Sequence, residues 1–350
     1  MYIVPVRLLL LTLLLALVSS NINAAVQKAP LPCDATSIAV AADGSGLWFG
    51  CSKGLAERKR AEAAGKPEPS YAGTDSDPTD VYWLANGSTA PMKVVSAKGV
   101  VDVVAAPVGP QALFVMPHPT GRSKVVLYNA QQRLKDLPLN PDFLLWSADA
   151  QKVYTYGGST VQSDAWNILA IYDLKTGSAE KKTLRTPTEI LRVCPTTGSV
   201  YSVTPKYPGF PGSTVEYTPD LQFVRKVHGW IGAHFSATCA YVASEADFHG
   251  PLPWDIYDVS SGKVLFSFAG LDDEGKAEAY RFVQWNPKHE SLLLREHILG
   301  HKRPDVLEVF DVQKGTVLQT VPDTDVVAWS TDGDSFVTGD GSALVWHAMK

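Results

Sequence analysis

The feature that most constrains this chain is a short phrase that recurs with variations along its 350 residues. An apolar run ends in Trp-Ser or a similar pair, a tight Asp/Gly turn follows, and a second apolar run comes next. The clearest copies are FLLWSAD at 143–149, FVQWNP at 282–287 and VVAWSTDG at 326–333, and weaker copies begin at Ile38, Val101, Ile190 and Ile231. Internal repetition of this kind determines the architecture before other patterns are considered.

A second phrase follows the first in three of the copies. It is IYDLKTG at 171–177, IYDVSSG at 256–262 and VFDVQKG at 309–315. Each predicts a third strand that ends in a turn, because Asp can hydrogen-bond the turn backbone and Gly can adopt a positive φ. The runs KVLFSF and TVLQTV that come afterwards alternate as outer strands should.

Seven copies, most of them spaced by the roughly 40–50 residues of a four-stranded blade, predict an all-β, seven-bladed β-propeller of antiparallel blades. The last copy has only three strands before the chain ends. The segment from residue 26 is placed to supply the missing strand, and ring closure removes exposed sheet edges. Deleting residues 26–31 is therefore expected to unseat the seventh blade.

At these residues the chain resembles the WD40 and TolB-like propellers, whose repeats carry a Trp-Ser-x-Asp-Gly turn and a Tyr/Trp-Asp pair. The resemblance spans nearly all of the chain after residue 25. Trp is replaced by Cys194 in the fourth copy and by Phe235 in the fifth. The resemblance implies a fold, and a shared fold does not imply a shared function.

The chain begins with a segment typical of secretion. Arg7 precedes an apolar stretch, Leu8 to Leu17, which is too short to span a bilayer. Residues 1–25 are predicted to be a signal peptide and residues 26–350 a single propeller, periplasmic or secreted, without stable membrane insertion after cleavage. The net charge of −5 gives no indication of nucleic acid or of an acidic membrane surface as a partner.

Four cysteines, at 33, 51, 194 and 239, allow three disulfide pairings. Cys33 and Cys51 lie at the same end of the first hairpin, which favours a bond between them. Cys194 and Cys239 occupy corresponding turns of adjacent blades and are candidates to staple them together. The alternative is four free, buried thiols.

The connections predicted within the blades differ sharply in length. Those between second and third strands are long, at 52–79, 117–124, 157–167, 205–213, 244–254 and 296–305, whereas the other turns are short. The long loops therefore share one face, where function is expected, although neutral drift in loop length is an alternative. Candidate binding residues in or beside these loops are Arg122, Trp166, Lys206, Tyr207, Phe210, Asp247, Phe248, Trp254 and Arg303.

No cofactor is predicted, although two metals deserve comparison with the sequence. Asp75, Asp77 and Asp80 alternate as calcium ligands do, but the glycine and terminal Glu of an EF-hand loop are absent. His297 and His301 have the spacing of a helical zinc pair, yet Gly300 lies between them and no third ligand is evident.

The sequence has no Gly-x-Ser-x-Gly elbow, phosphate-binding loop, dinucleotide fingerprint or His-Glu-x-x-His pair. The leading hypothesis is a non-catalytic, extracytoplasmic propeller that binds a protein or peptide through its long-loop face. The alternative is an enzyme of the hydrolase, lactonase or quinoprotein kind with a loop-borne site at the mouth of the channel.

Overall fold

The computed structural model describes residues 28–52, 54, 57, 61, 78–99, 101–116, 123–139, 143–156, 168–185, 190–204, 213–227, 231–245, 253–269, 279–298, 305–322, 324, 326–340 and 343–349. Seven four-stranded antiparallel sheets form the blades of a β-propeller, which confirms the predicted fold. The predicted signal peptide lies outside the described residues. No described helix is long and apolar enough to span a membrane.

Each blade runs from an inner first strand to an outer fourth strand. The strands are, for blade one, β2 (Ser37–Val40), β3 (Gly46–Ser52), β4 (Pro78–Ala85) and β5 (Met92–Lys98); for blade two, β6 (Asp102–Ala105), β7 (Gln111–Met116), β8 (Lys124–Asn129) and β9 (Gln132–Leu137); for blade three, β10 (Phe143–Trp146), β11 (Lys152–Tyr156), β12 (Ile168–Asp173) and β13 (Ala179–Thr183); for blade four, β14 (Ile190–Val193), β15 (Val200–Thr204), β16 (Ser213–Tyr217) and β17 (Phe223–Val227); for blade five, β18 (Ile231–Phe235), β19 (Tyr241–Glu245), β20 (Trp254–Asp258) and β21 (Val264–Phe268); for blade six, β22 (Ala279–Trp285), β23 (Leu292–Ile298), β24 (Val306–Asp311) and β25 (Thr316–Pro322); and for blade seven, β26 (Val327–Trp329), β27 (Ser335–Asp340), β28 (Ala343–Ala348) and β1 (Lys28–Pro30).

The N-terminal strand closes the ring, as the sequence predicts. β1 pairs antiparallel with β28, with Lys28 opposite Val345 and Pro30 opposite Ala343. Between them, Ala29 is fully buried against residues of blades one and seven, among them Leu47. Blade seven is therefore assembled from both ends of the described chain, and β1 covers the outer edge of β28.

The recurrent Trp has a structural role that links blades. The indole Nε1 of Trp146 in blade three donates to the Val104 carbonyl of blade two at 2.9 Å. Trp285 of blade six donates to the carbonyl of His234 in blade five at 2.7 Å. Each bond satisfies a buried indole N–H and fastens one first strand to the one before it. The phrase therefore recurs because it joins neighbouring blades as well as forming a turn.

Both predicted disulfides are present, Cys33–Cys51 and Cys194–Cys239. The second joins the first-to-second turns of blades four and five, the two blades in which Cys194 and Phe235 replace Trp. At that junction a covalent bond takes the place of the indole hydrogen bond. The sequence separation of its cysteines is 45. By reducing the conformational entropy of the unfolded chain, a bond that closes a loop of this size stabilises the folded state by about 4 kcal/mol.

The Asp-Gly phrase ends the third strand as predicted. In blade three, the Asp173 carboxylate accepts hydrogen bonds from the backbone N–H groups of Lys175 at 2.9 Å and Thr176 at 2.7 Å. Gly177 takes a φ of 72°, which L side chains rarely adopt. The polar groups of this turn are thus used within the turn itself.

Strands extend further than predicted into five of the six long connections, and most of all in blades one, five and six. β4 begins at Pro78, β19 continues to Glu245 and β23 continues to Ile298. In blade six the reason is regular pairing: Glu296 lies opposite Leu307 and His297 opposite Val306. The second-to-third connections are correspondingly shorter than the sequence predicts, the longest being residues 53–77.

Candidate binding face

The topology separates the connections into two faces. Because successive strands of each blade are antiparallel, the second-to-third connections and the links between blades lie at one end of every sheet. We name this end the long-loop face and the opposite end the short-turn face. In blades one to six the second-to-third connections are residues 53–77, 117–123, 157–167, 205–212, 246–253 and 299–305.

Polar side chains occur on the first strands, which lie side by side around the centre of the ring. At the long-loop end of β6, Asp102 is exposed, and partial desolvation of its carboxyl group raises its pKa. At the same end of β22, Arg281 is 70 % exposed and pairs with Glu296. The acidic Asp102 and the basic Arg281 therefore lie on different blades, both at the long-loop end of the ring.

Further along the first strands, Arg192 and His234 lie on neighbouring blades. The Arg192 Nε donates to the Ala233 carbonyl at 2.9 Å, which holds the guanidinium against β18. The His234 ring lies 4.8 Å from the Phe282 ring of blade six, measured between centroids. Desolvation and the nearby Arg192 charge lower the pKa of His234 to about 4. The imidazole is therefore neutral at physiological pH.

This depressed pKa predicts an acid-sensitive contribution to stability. In the unfolded chain His234 has an ordinary pKa of about 6.5, so below that pH the unfolded state binds more protons than the folded state. Wild-type stability should therefore be complete above pH 6.5 and fall between pH 6.5 and 4, by up to about 3 kcal/mol from this group. Urea unfolding at pH 7.5 and pH 4.5 measures the change.

In the His234→Gln variant the corresponding part of this pH dependence should disappear, while the acid response of every other group is retained. His347, whose pKa is also lowered by burial, provides the matched control, because His347→Gln should leave the His234 contribution in place. An identical pH dependence in wild type and His234→Gln would contradict the assignment.

A buried ionic cluster lies between blades five and six, towards the long-loop end. The Arg295 guanidinium contacts Glu308 through Nε at 2.9 Å and through a terminal nitrogen at 2.8 Å. The other carboxylate oxygen of Glu308 lies 3.1 Å from His297 Nδ1. Arg295 and Glu308 are only 6 % and 7 % exposed. The cluster consequently fixes the strands from which the adjacent loops emerge.

Aromatic rings enclose the guanidinium of this cluster. Its central carbon lies 4.2 Å from the Tyr280 ring, 4.3 Å from that of Phe310 and 4.8 Å from that of Phe268. Phe268 belongs to blade five and the other two to blade six, so the cation joins the blades. Cation–π contacts of this kind strengthen when the charge is removed from water.

Of the nine candidate binding residues, the structure describes Trp254. It is 2 % exposed, its Nε1 donates to the Tyr280 carbonyl at 2.8 Å, and its ring stacks on Phe268 at 4.2 Å. Trp254 thus supports the junction of blades five and six and offers no surface to a partner. The other eight lie outside the described residues, namely Arg122, Trp166, Lys206, Tyr207, Phe210, Asp247, Phe248 and Arg303.

The structure describes two of the residues considered as metal ligands. His297 lies on β23, where its Nδ1 faces Glu308, and Asp80 lies on β4, where it pairs with Lys93 at 2.6 Å. Among the described residues, no group of three His, Cys, Asp or Glu side chains is arranged to hold a metal ion. Asp75, Asp77 and His301 lie outside them.

Five charged residues at or near this face are absent from the candidates predicted from the sequence: Asp102, Arg192, Arg281, Arg295 and Glu308. Their common signal is a charged residue within an apolar strand, as in VVDVV, ILRV and LLLREHI. In a propeller such a strand is packed on both faces, so its charges must be paired or must line the channel.

These features define a seven-bladed β-propeller with closed blades and one face of long loops. Comparisons with protein-family models and with curated proteins gave no match. Among solved structures, the chain is similar to Kuenenia stuttgartiensis hydrazine synthase, with a TM-score of 0.58 and 11 % identity over 94 % of this chain and 99 % of that chain. At this identity the likeness shows the fold alone.

Proposed function

We propose that this protein is a non-catalytic, extracytoplasmic propeller that binds a protein or peptide partner through its long-loop face. The observation that carries the proposal is the separation of connections, with the long ones of blades one to six together at one end. A rigid ring that positions variable loops on one face is a common design for recognition. The short-turn face presents fewer polar groups to a partner, because turns such as that of Asp173 use their polar groups in hydrogen bonds within the turn.

The support beneath the long-loop face is rigid. The Arg295 cluster and the indole of Trp254 tie blades five and six together directly below their loops. A preorganised surface loses less conformational entropy on binding than a mobile one. Asp102 and Arg281 add opposite charges at the same end, which favours a partner with complementary charges of both signs.

The extracytoplasmic location is proposed from two independent features. Two disulfides use all four cysteines, and disulfides persist in oxidising compartments. The predicted signal peptide over residues 1–25 would direct the chain to such a compartment.

A displayed random-peptide library provides the probe for this proposal. Peptides selected on the mature protein should lose about tenfold or more in affinity when Tyr207 and Phe210 are both changed to Ala, since aromatic anchors dominate such interfaces. They should also weaken when residues 53–77 are replaced by a short Gly-Ser linker. Titration calorimetry measures both effects.

The matched control is Lys175→Ala with Thr197→Ala, two exposed positions in turns of the short-turn face. Binding of the selected peptides should be unchanged in this variant. The proposal fails if no peptide is selected, or if the control variant weakens binding as much as the loop variants while all of them unfold at the wild-type temperature.

A further inference from the structure

Five blades share an irregularity between their third and fourth strands. In blade five, Ile256 lies opposite Phe266 but the next residue, Tyr257, lies opposite Val264, so Leu265 is an extra residue in the outer strand. The same shift occurs in blades one, two, four and six. The extra residues of the five blades are all aliphatic: Val94, Leu134, Val224, Leu265 and Leu318.

Such β-bulges interrupt the alternation of side chains. Four of the extra residues, those of blades two, four, five and six, are between 36 % and 47 % exposed. The strict alternation predicted for KVLFSF and TVLQTV therefore does not hold, because in both runs two successive apolar residues are exposed, Val264 with Leu265 and Val317 with Leu318. A bulge protects an exposed sheet edge, but that purpose does not require an aliphatic residue.

In three consecutive blades the preceding residue of the outer strand is also an exposed apolar one. The pairs are Phe223 with Val224, Val264 with Leu265, and Val317 with Leu318. We call these six residues the apolar arc. The strands of the arc are joined across both blade junctions. Val227 of blade four and Tyr257 of blade five pack against the same buried cluster, and the Phe266 ring lies 5.3 Å from that of Phe310 in blade six.

Basic side chains predominate on the outer strands that carry the apolar arc. The exposed Asp220, which precedes the arc residues of blade four, is paired with Lys152 at 2.8 Å. The strands β17, β21 and β25 contain no Asp or Glu, whereas β17 carries Arg225 and Lys226. Exposed Lys263 and Lys314 precede the arc residues of blades five and six. Nearby Glu216 and Asp311 are mostly buried and pair with Arg225 at 2.7 Å and Lys314 at 3.1 Å.

A further cation lies on the aromatic member of the arc. The guanidinium carbon of Arg185 is 3.8 Å from the centre of the Phe223 ring. By contrast, the outer strand of blade three, Ala-Glu-Lys-Lys-Thr, is polar and pairs in regular register. Polar residues are thus compatible with this position in a blade, so the fold itself does not require an apolar arc.

We propose that the apolar arc and its cations adsorb the propeller, edge-on, to an anionic lipid surface. Protein interfaces are depleted in Lys and enriched in aromatic residues, whereas the arc combines five aliphatic residues and one aromatic ring with three lysines. Aliphatic side chains beside Lys and Arg are the composition of peripheral membrane contacts, in which apolar burial and attraction to anionic headgroups act together. The arc lies at the periphery, so adsorption leaves the long-loop face accessible.

Vesicle co-sedimentation with the mature protein tests this inference. Partitioning should be about tenfold stronger onto vesicles of equal parts phosphatidylcholine and phosphatidylglycerol than onto phosphatidylcholine alone, and should fall as salt is added. The triple variant Val224→Ser, Leu265→Ser, Leu318→Ser should lose most of this binding, as should Lys226→Gln with Lys263→Gln.

Leu134→Ser is the matched control, because Leu134 is an equivalent bulge residue in blade two, outside the arc. It should bind vesicles as the wild type does, and all variants should unfold at the wild-type temperature because the substituted side chains are exposed. Absent or charge-independent vesicle binding, or equal loss in Leu134→Ser, would overturn the proposal. So would a wild-type dimer that the triple variant dissociates, since a second copy would then cover the arc.

Discussion

Replacing Glu308 by Ala should destabilise the propeller by about 3–5 kcal/mol, because the change leaves the Arg295 guanidinium buried without its counter-charge. Both residues are less than a tenth exposed, and the Glu308 carboxylate accepts a hydrogen bond from Arg295 and also faces His297. The surrounding rings of Phe268, Tyr280 and Phe310 exclude the water that would otherwise solvate the cation. Urea unfolding at neutral pH, analysed with an unchanged m-value, measures the loss.

Asp80→Ala provides the matched control for this prediction. Asp80 occupies the same third position of the third strand in blade one, and it pairs with Lys93 across a surface where the two side chains are 30 % and 49 % exposed. Exposed pairs contribute less than about 1 kcal/mol. A similar small loss in Glu308→Ala would show that water reaches the cluster and would contradict the proposed role.

A double substitution separates the charge from the packing. Arg295→Met with Glu308→Leu removes both charges and should recover much of the stability lost in Glu308→Ala, since an apolar pair of similar volume replaces the ion pair. A double variant as unstable as the single one would instead assign the loss to packing at the junction of blades five and six.

The fold was predictable because its signals are local. The Trp-Ser and Asp-Gly phrases each encode a turn within about six residues, so the residues that form a hairpin turn can be recognised directly in the sequence. The missing strand of blade seven followed from the repeat, and so did the pairing of Cys194 with Cys239, which occupy equivalent turns. In both cases the repeat shows which distant residues occupy equivalent or neighbouring positions, and it thereby predicts a contact between residues far apart in the sequence.

The ionic cluster was not predictable in this way. Arg295 and Glu308 are separated by a connection that was predicted to begin at residue 296, although β23 continues to Ile298. Their burial also depends on Phe268, which belongs to another blade. The apolar arc was missed for a related reason. A net charge of −5 averages over the molecule, and the one-residue register shifts that expose Val224, Leu265 and Leu318 leave no mark in an apparently alternating run.

Replacing Ala29 by Asp should open the ring and destabilise the protein by more than about 3 kcal/mol, because an unpaired carboxylate would be buried. Ala29 is fully buried and packs with Leu47 and Leu344. It is the middle residue of β1, the strand that pairs with β28. Once β1 detaches, β28 presents an unpaired edge, so the variant should also self-associate as its concentration rises. Thermal unfolding and size-exclusion chromatography measure the two effects.

Lys28→Asp separates strand closure from the general effect of a negative charge near the N-terminus. Lys28 is the neighbouring residue of the same strand, but its side chain is exposed, so the same carboxylate at that position remains solvated and should change stability by less than about 1 kcal/mol. The two variants introduce the same aspartate side chain one residue apart. They differ only in whether that side chain lies on the buried or the exposed face of β1. Equal stability of the two variants would mean that β1 does not hold blade seven, and the ring would then have to be closed by contacts between the first strands of blades one and seven.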